Sequence, residues 1–89
     1  MPSENINIKK IVSDFIIENF LFGDDGQLKD DDSFLETGIV DSTGILELVS
    51  FLEERFNITV EDEELIPENL DSLSRVVNFI EKKLINLAS

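Results

Sequence analysis

The chain has 89 residues, which is enough for one domain with its own hydrophobic core, and it contains neither cysteine nor histidine. These absences exclude disulfides, thiolate nucleophiles, histidine metal ligands and any catalytic triad that needs an imidazole base. Seven basic and 20 acidic residues give a net charge of −13, so nucleic acids and anionic membranes would repel the protein.

Apolar residues at helical spacing predict a first helix over residues from about 5 to 22. These residues are Ile8, Ile11, Val12, Phe15, Ile16 and Phe22. Two glycines around Asp24-Asp25 predict the end of this helix. Residues from about 24 to 41 then form a long connection without a sustained period. We expect its apolar residues to hold it on the core, namely Phe34, Leu35, Ile39 and Val40.

A second apolar stripe predicts a helix over residues from about 42 to 56. Its expected buried face comprises Ile45, Leu48, Val49, Leu52 and Phe56. The β-branched run at 58–60 is interpreted as an extended connector without a partner strand. A short third helix is expected over residues from about 61 to 66, with Pro67 ending it.

The last helix is expected over residues from about 71 to 87. Its expected buried residues are Leu73, Val76, Val77, Ile80, Leu84 and Leu87. The whole pattern predicts one all-α domain over residues 1–89. Its fold would be a small four-helix bundle, with three main helices, one short helix and a long first loop.

The negative charge is concentrated in one segment. Residues 30–71 hold 14 acidic residues and one basic residue, Arg55, whereas the charges in the rest of the chain cancel. Two explanations stay open here, a solvated surface that maintains solubility and a surface that attracts basic partners. No calcium loop is predicted, because the sixth and twelfth positions counted from Asp30 are leucine and aspartate. No secretion signal and no run able to span a membrane are present, so we expect a cytoplasmic monomer without stable membrane insertion.

Two Asp-Ser pairs precede predicted helices, Asp41-Ser42 and Asp71-Ser72. Both residue types are common helix caps, so each pair taken alone is interpreted as a cap. Ser42 differs in its context, because an amphipathic, acidic helix follows it. A serine at such a helix start would place an attached phosphate beside unpaired backbone N–H groups and the positive end of the helix dipole.

The run Phe34-Leu35-Glu36-Thr37-Gly38-Ile39-Val40-Asp41-Ser42, with Glu47-Leu48-Val49 and Leu52-Glu53-Glu54-Arg55-Phe56 after it, resembles the acyl and peptidyl carrier proteins. The likeness covers nearly the whole chain. It implies a non-enzymatic carrier with 4′-phosphopantetheine attached to Ser42, directly after Asp41, by a separate phosphopantetheinyl transferase. The thiol of that arm would hold acyl groups as thioesters for fatty-acid, lipid or secondary-metabolite synthesis.

The resemblance also implies a docking surface. Basic patches on the loading ligase or synthase and on acyltransferases would contact the acids Asp41, Glu47 and Glu54, with Glu53 nearby, and Leu46 would be the exposed apolar contact beside them.

Ser72 is a competing candidate, since Asp71-Ser72-Leu73 matches the family's usual triplet better than Asp41-Ser42-Thr43 does. However, only 17 residues follow Ser72, whereas the family places at least two helical segments after the modified serine. We therefore interpret Asp71 and Ser72 as caps of the last helix.

Thr43 departs from the apolar residue that the family usually has after the serine. The form Glu-x-Gly-Ile-x-Asp-Ser-x-Gly, from Glu36 to Gly44, is similar to the D-alanyl carrier branch. Related stand-alone carriers are loaded by AMP-forming ligases, so a D-alanyl or aminoacyl carrier is the first alternative. The second is a non-catalytic, acidic interaction module in which Ser42 is only a cap.

Overall fold

The computed structural model of the protein describes residues 7–23, 26 and 28–88. This part of the chain contains no strand, and its elements are α1 (Ile8–Phe20), α2 (Phe34–Thr37), α3 (Ser42–Phe56), a 3₁₀ turn (Asp62–Glu64), α4 (Pro67–Leu70) and α5 (Leu73–Ala88). The predicted all-α class with three main helices is confirmed. The predicted start of the first helix, the turn at Asp24-Asp25 and the burial of Leu87 lie outside the described residues or side chains.

One apolar core joins all five helices. The buried residues are Val12, Ile16, Leu21, Phe34, Val40, Leu48, Val49, Leu52, Phe56, Ile58, Leu70, Leu73, Val76, Phe79 and Ile80. The predicted face of α3 is confirmed, with Ile45 only half-buried at its edge. On α5, Val77 and Leu84 are half-buried, while Phe79, which the pattern did not single out, is buried.

The first helix ends earlier than predicted, at Phe20. The backbone N–H groups of Leu21 and Gly23 both donate to the carbonyl of Ile17, at 3.2 and 3.0 Å. This turn brings Phe22 to a φ of 52° and Gly23 to a φ of 89°. The prediction that Phe22 lies on the buried face is wrong, because the chain leaves the helix before reaching it and its side chain is 93% exposed.

The long connection after α1 contains the one-turn helix α2. Phe34 and Val40 are fully buried and Ile39 is half-buried, as predicted. Leu35 was also expected on the core, but it is 45% exposed. On a single helical turn with Phe34 facing inward, the next residue points about 100° away, so Leu35 faces outward.

Polar contacts also attach this connection to the helices. The ammonium group of Lys9 on α1 lies 2.7 Å from a carboxylate oxygen of Asp30. On α5, the backbone N–H of Ser74 donates to the carbonyl of Asp30 at 2.9 Å, and its hydroxyl donates to the Asp31 carboxylate at 2.7 Å. Part of the acidic run therefore fixes the loop rather than remaining entirely solvated.

Two predictions about residues 61–72 need correction. Pro67 begins α4 instead of only ending a helix, because the first helical position needs no N–H donor. Asp71 does not cap α5: its carboxylate accepts the Leu35 N–H at 3.0 Å and the Ser33 hydroxyl, which ties it to the start of α2. Ser72 is the cap, since its hydroxyl oxygen accepts the Arg75 N–H at 3.2 Å.

Candidate functional site

Ser42 is the first residue of α3 and is exposed to solvent. Asp41 forms the N-cap, with its carboxylate accepting the Gly44 N–H at 2.7 Å and its carbonyl accepting the Ile45 N–H at 2.9 Å. Within the described part of the chain, the N–H groups of Ser42 and Thr43 have no hydrogen-bond acceptor. Two free donors and the positive end of a long helix therefore lie beside an accessible hydroxyl, which suits an anionic group on that oxygen.

The second Asp-Ser pair has a different environment. Ser72 is only 3% exposed, and its hydroxyl oxygen already accepts a hydrogen bond from the backbone of Arg75. An enzyme that modifies a hydroxyl must reach it, so burial argues against Ser72 as a modified residue. Ser42 is the first residue of α3 and Ser72 caps the start of α5, but only Ser42 has an accessible side chain.

Gly44 permits a close approach of α1 to the first turn of α3. A Cβ atom at this position would lie 2.8 Å from Phe20 Cε1 and 2.9 Å from Val40 Cγ1, which is too close for ordinary contact. The Phe20 ring meets Phe15 edge-on at 5.9 Å between centroids, and Phe15 stacks on Phe51 of α3 at 4.1 Å. The end of α1 is thus fixed beside Ser42. A glycine in the first turn of a helix was the sequence signal for this contact.

An apolar groove of about 260 Å³ opens beside Ser42. Its lining residues are Leu35, Ser42, Ile45, Leu46, Leu65, Ile66, Pro67, Leu70 and Asp71. Three exposed apolar side chains belong to it, Leu46 at 58%, Leu35 at 45% and Ile66 at 38%. Of these three, the sequence pattern indicated only Leu46 as an exposed contact. It could not indicate the groove, because the groove is formed by separate segments whose proximity depends on tertiary packing.

Polar contacts hold the wall of the groove that faces α3. The Asp71 carboxylate attaches this wall to α2 through the N–H of Leu35. Nearby, a Glu64 carboxylate oxygen accepts the Glu61 N–H at 2.9 Å and the Lys83 ammonium group at 2.8 Å. The hydrogen bond from the Glu61 backbone, followed by that from Lys83, lowers the pKa of Glu64 below its ordinary value. These bonds tie the 3₁₀ turn, and with it the adjacent groove wall, to α5.

The α3 residues predicted to dock partners differ from one another in exposure and hydrogen bonding. Leu46, Glu47 and Glu54 are exposed, and neither glutamate has an ion-pair partner among the residues that the structure describes. Glu53 is half-buried, and its carboxylate accepts the Val60 N–H at 2.9 Å. This carboxylate therefore supports the turn after α3, a role that the sequence pattern did not indicate. Partner docking stays a prediction.

Two further properties concern the described residues as a group. Their carboxylates include no cluster arranged to hold a metal ion. In this part of the chain, no helix is both long enough and apolar enough to cross a membrane.

Comparison with known proteins finds a matching family model and similar carrier proteins. A family model described as the phosphopantetheine attachment site matches residues 19–80, a range that contains both Ser42 and Ser72. A D-alanyl carrier protein of Streptococcus suis is 36% identical over 63 residues, which are 71% of this chain and 78% of that protein. An acyl carrier protein of Bdellovibrio bacteriovorus is 36% identical over 72 residues, 81% of this chain and 88% of that protein. Another acyl carrier protein, from Wolinella succinogenes, is 40% identical over 55 residues, which are 62% of this chain and 70% of that protein.

Proposed function

The chain belongs to the family of carrier proteins whose domain holds 4′-phosphopantetheine covalently on a serine, and we propose that this serine is Ser42. One observation carries the proposal: Ser42 is exposed at the start of α3, whereas Ser72 is buried and hydrogen-bonded. We further propose that the protein is not an enzyme but presents its cargo to enzymes.

The residues around Ser42 fit the proposed group. Its phosphate would lie on the Ser42 oxygen, beside the free N–H groups of Ser42 and Thr43. Asp41 would position this site by capping α3 through Gly44. When attached, the group supplies a terminal thiol that holds acyl groups as thioesters, a chemistry that this cysteine-free chain lacks.

An acyl group is the cargo that the surroundings of Ser42 favour. The groove beside it is lined mainly by aliphatic side chains, which would shelter a hydrocarbon chain from water. The ammonium group of an aminoacyl cargo would meet one carboxylate in this lining, that of Asp71, which already accepts hydrogen bonds from Ser33 and Leu35. The rest of the lining offers no partner for the charge, and burial of an unpaired charge is costly.

A D-alanyl or aminoacyl carrier is the second candidate. It is supported by the run from Glu36 to Gly44 and by the similarity to a protein named D-alanyl carrier protein. The modified protein should be incubated with ATP and either a D-alanine ligase or a fatty-acyl ligase of the AMP-forming class. Our first proposal expects a fatty-acyl thioester, detected by intact mass and removed by hydroxylamine. Formation of a D-alanyl thioester without any fatty-acyl thioester would favour the second candidate.

The exposed face of α3 is proposed to dock basic patches on the transferase and on the loading and acceptor enzymes. Reversal of both Glu47 and Glu54 to lysine should slow loading mainly by raising KM, most strongly at low salt. The matched control reverses two exposed acids elsewhere, Glu63 and Glu81, which changes the net charge equally. Equal loading of the two double variants at low salt would contradict docking at this face.

Co-expression with a broad-specificity phosphopantetheinyl transferase tests the carrier proposal. The intact mass of the protein should increase by one phosphopantetheine group, and Ser42→Ala should abolish this increase. An unmodified wild-type protein, under conditions that load a control carrier, would instead favour an interaction module in which Ser42 is only the first residue of a capped helix.

A further inference from the structure

Phe22 combines two unfavourable features. Its φ of 52° lies in the left-handed region, where a bulky side chain crowds the backbone. Among the described non-glycine residues, only Asn57 shares a positive φ, and asparagine tolerates this conformation well. In addition, 93% of the Phe22 side chain is exposed, so the ring gains little from burial to offset the strain.

The end of α1 does not require a phenyl ring at this position. The turn is closed by backbone hydrogen bonds to the Ile17 carbonyl, from Leu21 at 3.2 Å and from Gly23 at 3.0 Å. A glycine at position 22 would make the same turn without strain, and glycine is the usual residue after a helix end. A strained and exposed aromatic residue therefore points to a role outside the fold.

The location of Phe22 connects it with Ser42. Two residues earlier, the Phe20 ring lies against Gly44 in the first turn of α3, so the end of α1 and the start of α3 share one end of the bundle. The acids Glu18 and Asp41 are exposed on these two segments, and residues 17–20, the last turn of α1, contain no base. Phe22 is therefore an exposed aromatic residue two positions after the one that contacts the first turn of α3, the turn that begins with the proposed attachment serine.

We propose that Phe22 is a docking anchor for the phosphopantetheinyl transferase, whose complementary surface is an apolar recess with a basic rim. This inference rests on the proposed modification of Ser42. Rigid aromatic side chains commonly carry much of the affinity at protein interfaces, and exposed acids at the end of α1 and the start of α3 would favour a partner with basic residues. The anchor lies on α1 and is thus separate from the acidic face of α3.

The variant Phe22→Gly removes the ring and the strain together. We expect its urea unfolding midpoint to equal or exceed that of the wild type, because glycine adopts the left-handed conformation freely. With a purified transferase and coenzyme A, we expect KM for the carrier to rise about fivefold or more, with kcat nearly unchanged. Phe22→Tyr keeps an aromatic ring and should load nearly as the wild type does. Ile85→Ala is the control for removal of an exposed apolar side chain elsewhere.

The possible negative results distinguish an error in the docking role from an error in the proposed function. If Phe22→Gly has the same KM as the wild type, the docking role is overturned. The proposed function still stands in that case, provided that the wild type is loaded on Ser42. Slower loading together with a lower unfolding midpoint would also overturn it, since the ring would then have a structural role. A wild-type protein that is not loaded at Ser42 would overturn the proposed function and this inference with it.

Discussion

Replacement of Gly44 by alanine probes the packing that fixes the start of α3. The added Cβ would lie 2.8 Å from Phe20 Cε1 and 2.9 Å from Val40 Cγ1, whereas ordinary contacts begin near 3.4 Å. Neither neighbour can move away easily. Val40 is fully buried, and the Phe20 ring packs against Phe15, which itself stacks on Phe51.

Two opposing effects determine the free energy of unfolding of this variant. Alanine is favoured over glycine in a helix by about 1 kcal/mol. Overpacking of a well-filled core costs about 1–3 kcal/mol. Because two carbon atoms from different segments must both shift, we expect overpacking to prevail, with a net loss of about 1 kcal/mol. For a domain of this size, such a loss lowers the melting temperature by about 4–8 °C.

Urea unfolding followed by circular dichroism measures this loss. Ser50→Ala is the matched control, since Ser50 is exposed on the same helix and alanine there brings only its higher helix propensity. The double variant Phe20→Leu/Gly44→Ala should recover part of the loss, because the smaller side chain leaves space for the new methyl group. A Gly44→Ala protein that is about 1 kcal/mol more stable than the wild type would refute this packing argument.

Three further substitutions test the surroundings of Ser42. In urea unfolding, Asp41→Ala should cost about 1 kcal/mol and Asp41→Asn clearly less, because asparagine also caps helices; equal losses would contradict the cap. Glu64→Gln should cost about 1 kcal/mol at pH 7, unlike its exposed neighbour Glu63→Gln. Folding lowers the pKa of Glu64, so this stabilisation is complete above the ordinary pKa of 4.5 and is lost as pH falls through the lower pKa of the folded protein. A stability difference between wild type and Glu64→Gln that does not change with pH would contradict this prediction. Asp71→Ala should accelerate hydrogen exchange of the Leu35 amide, its donor at 3.0 Å, and unchanged exchange would show that the bond does not hold α2.

Local patterns were sufficient to predict α3. The residues Ser42–Phe56 form the helix as predicted, because a capping aspartate, a continuous apolar stripe and a residue that accepts the left-handed conformation occur at the required positions. The same patterns predicted the all-α fold and Ser72 as a cap of the last helix, but they did not predict that Ser72 is buried while Ser42 is exposed.

The errors have tertiary causes. Helical spacing placed Phe22 on α1, although the helix ends where backbone bonds to Ile17 close the turn. Asp71 was expected to cap the helix after it, but its carboxylate is taken by the distant N–H of Leu35. The groove beside Ser42 combines segments that are far apart in the sequence, so periodicity within one helix could not predict it.

Tandem mass spectrometry of the modified protein tests the central claim most directly. After incubation with a phosphopantetheinyl transferase and coenzyme A, proteolytic peptides containing Ser42 and Ser72 can be fragmented separately. We expect the phosphopantetheine group on Ser42, because its hydroxyl is exposed beside two free backbone donors, and an unmodified Ser72, because that side chain is buried. A group found on Ser72, or on neither serine while a control carrier is loaded, would contradict the account.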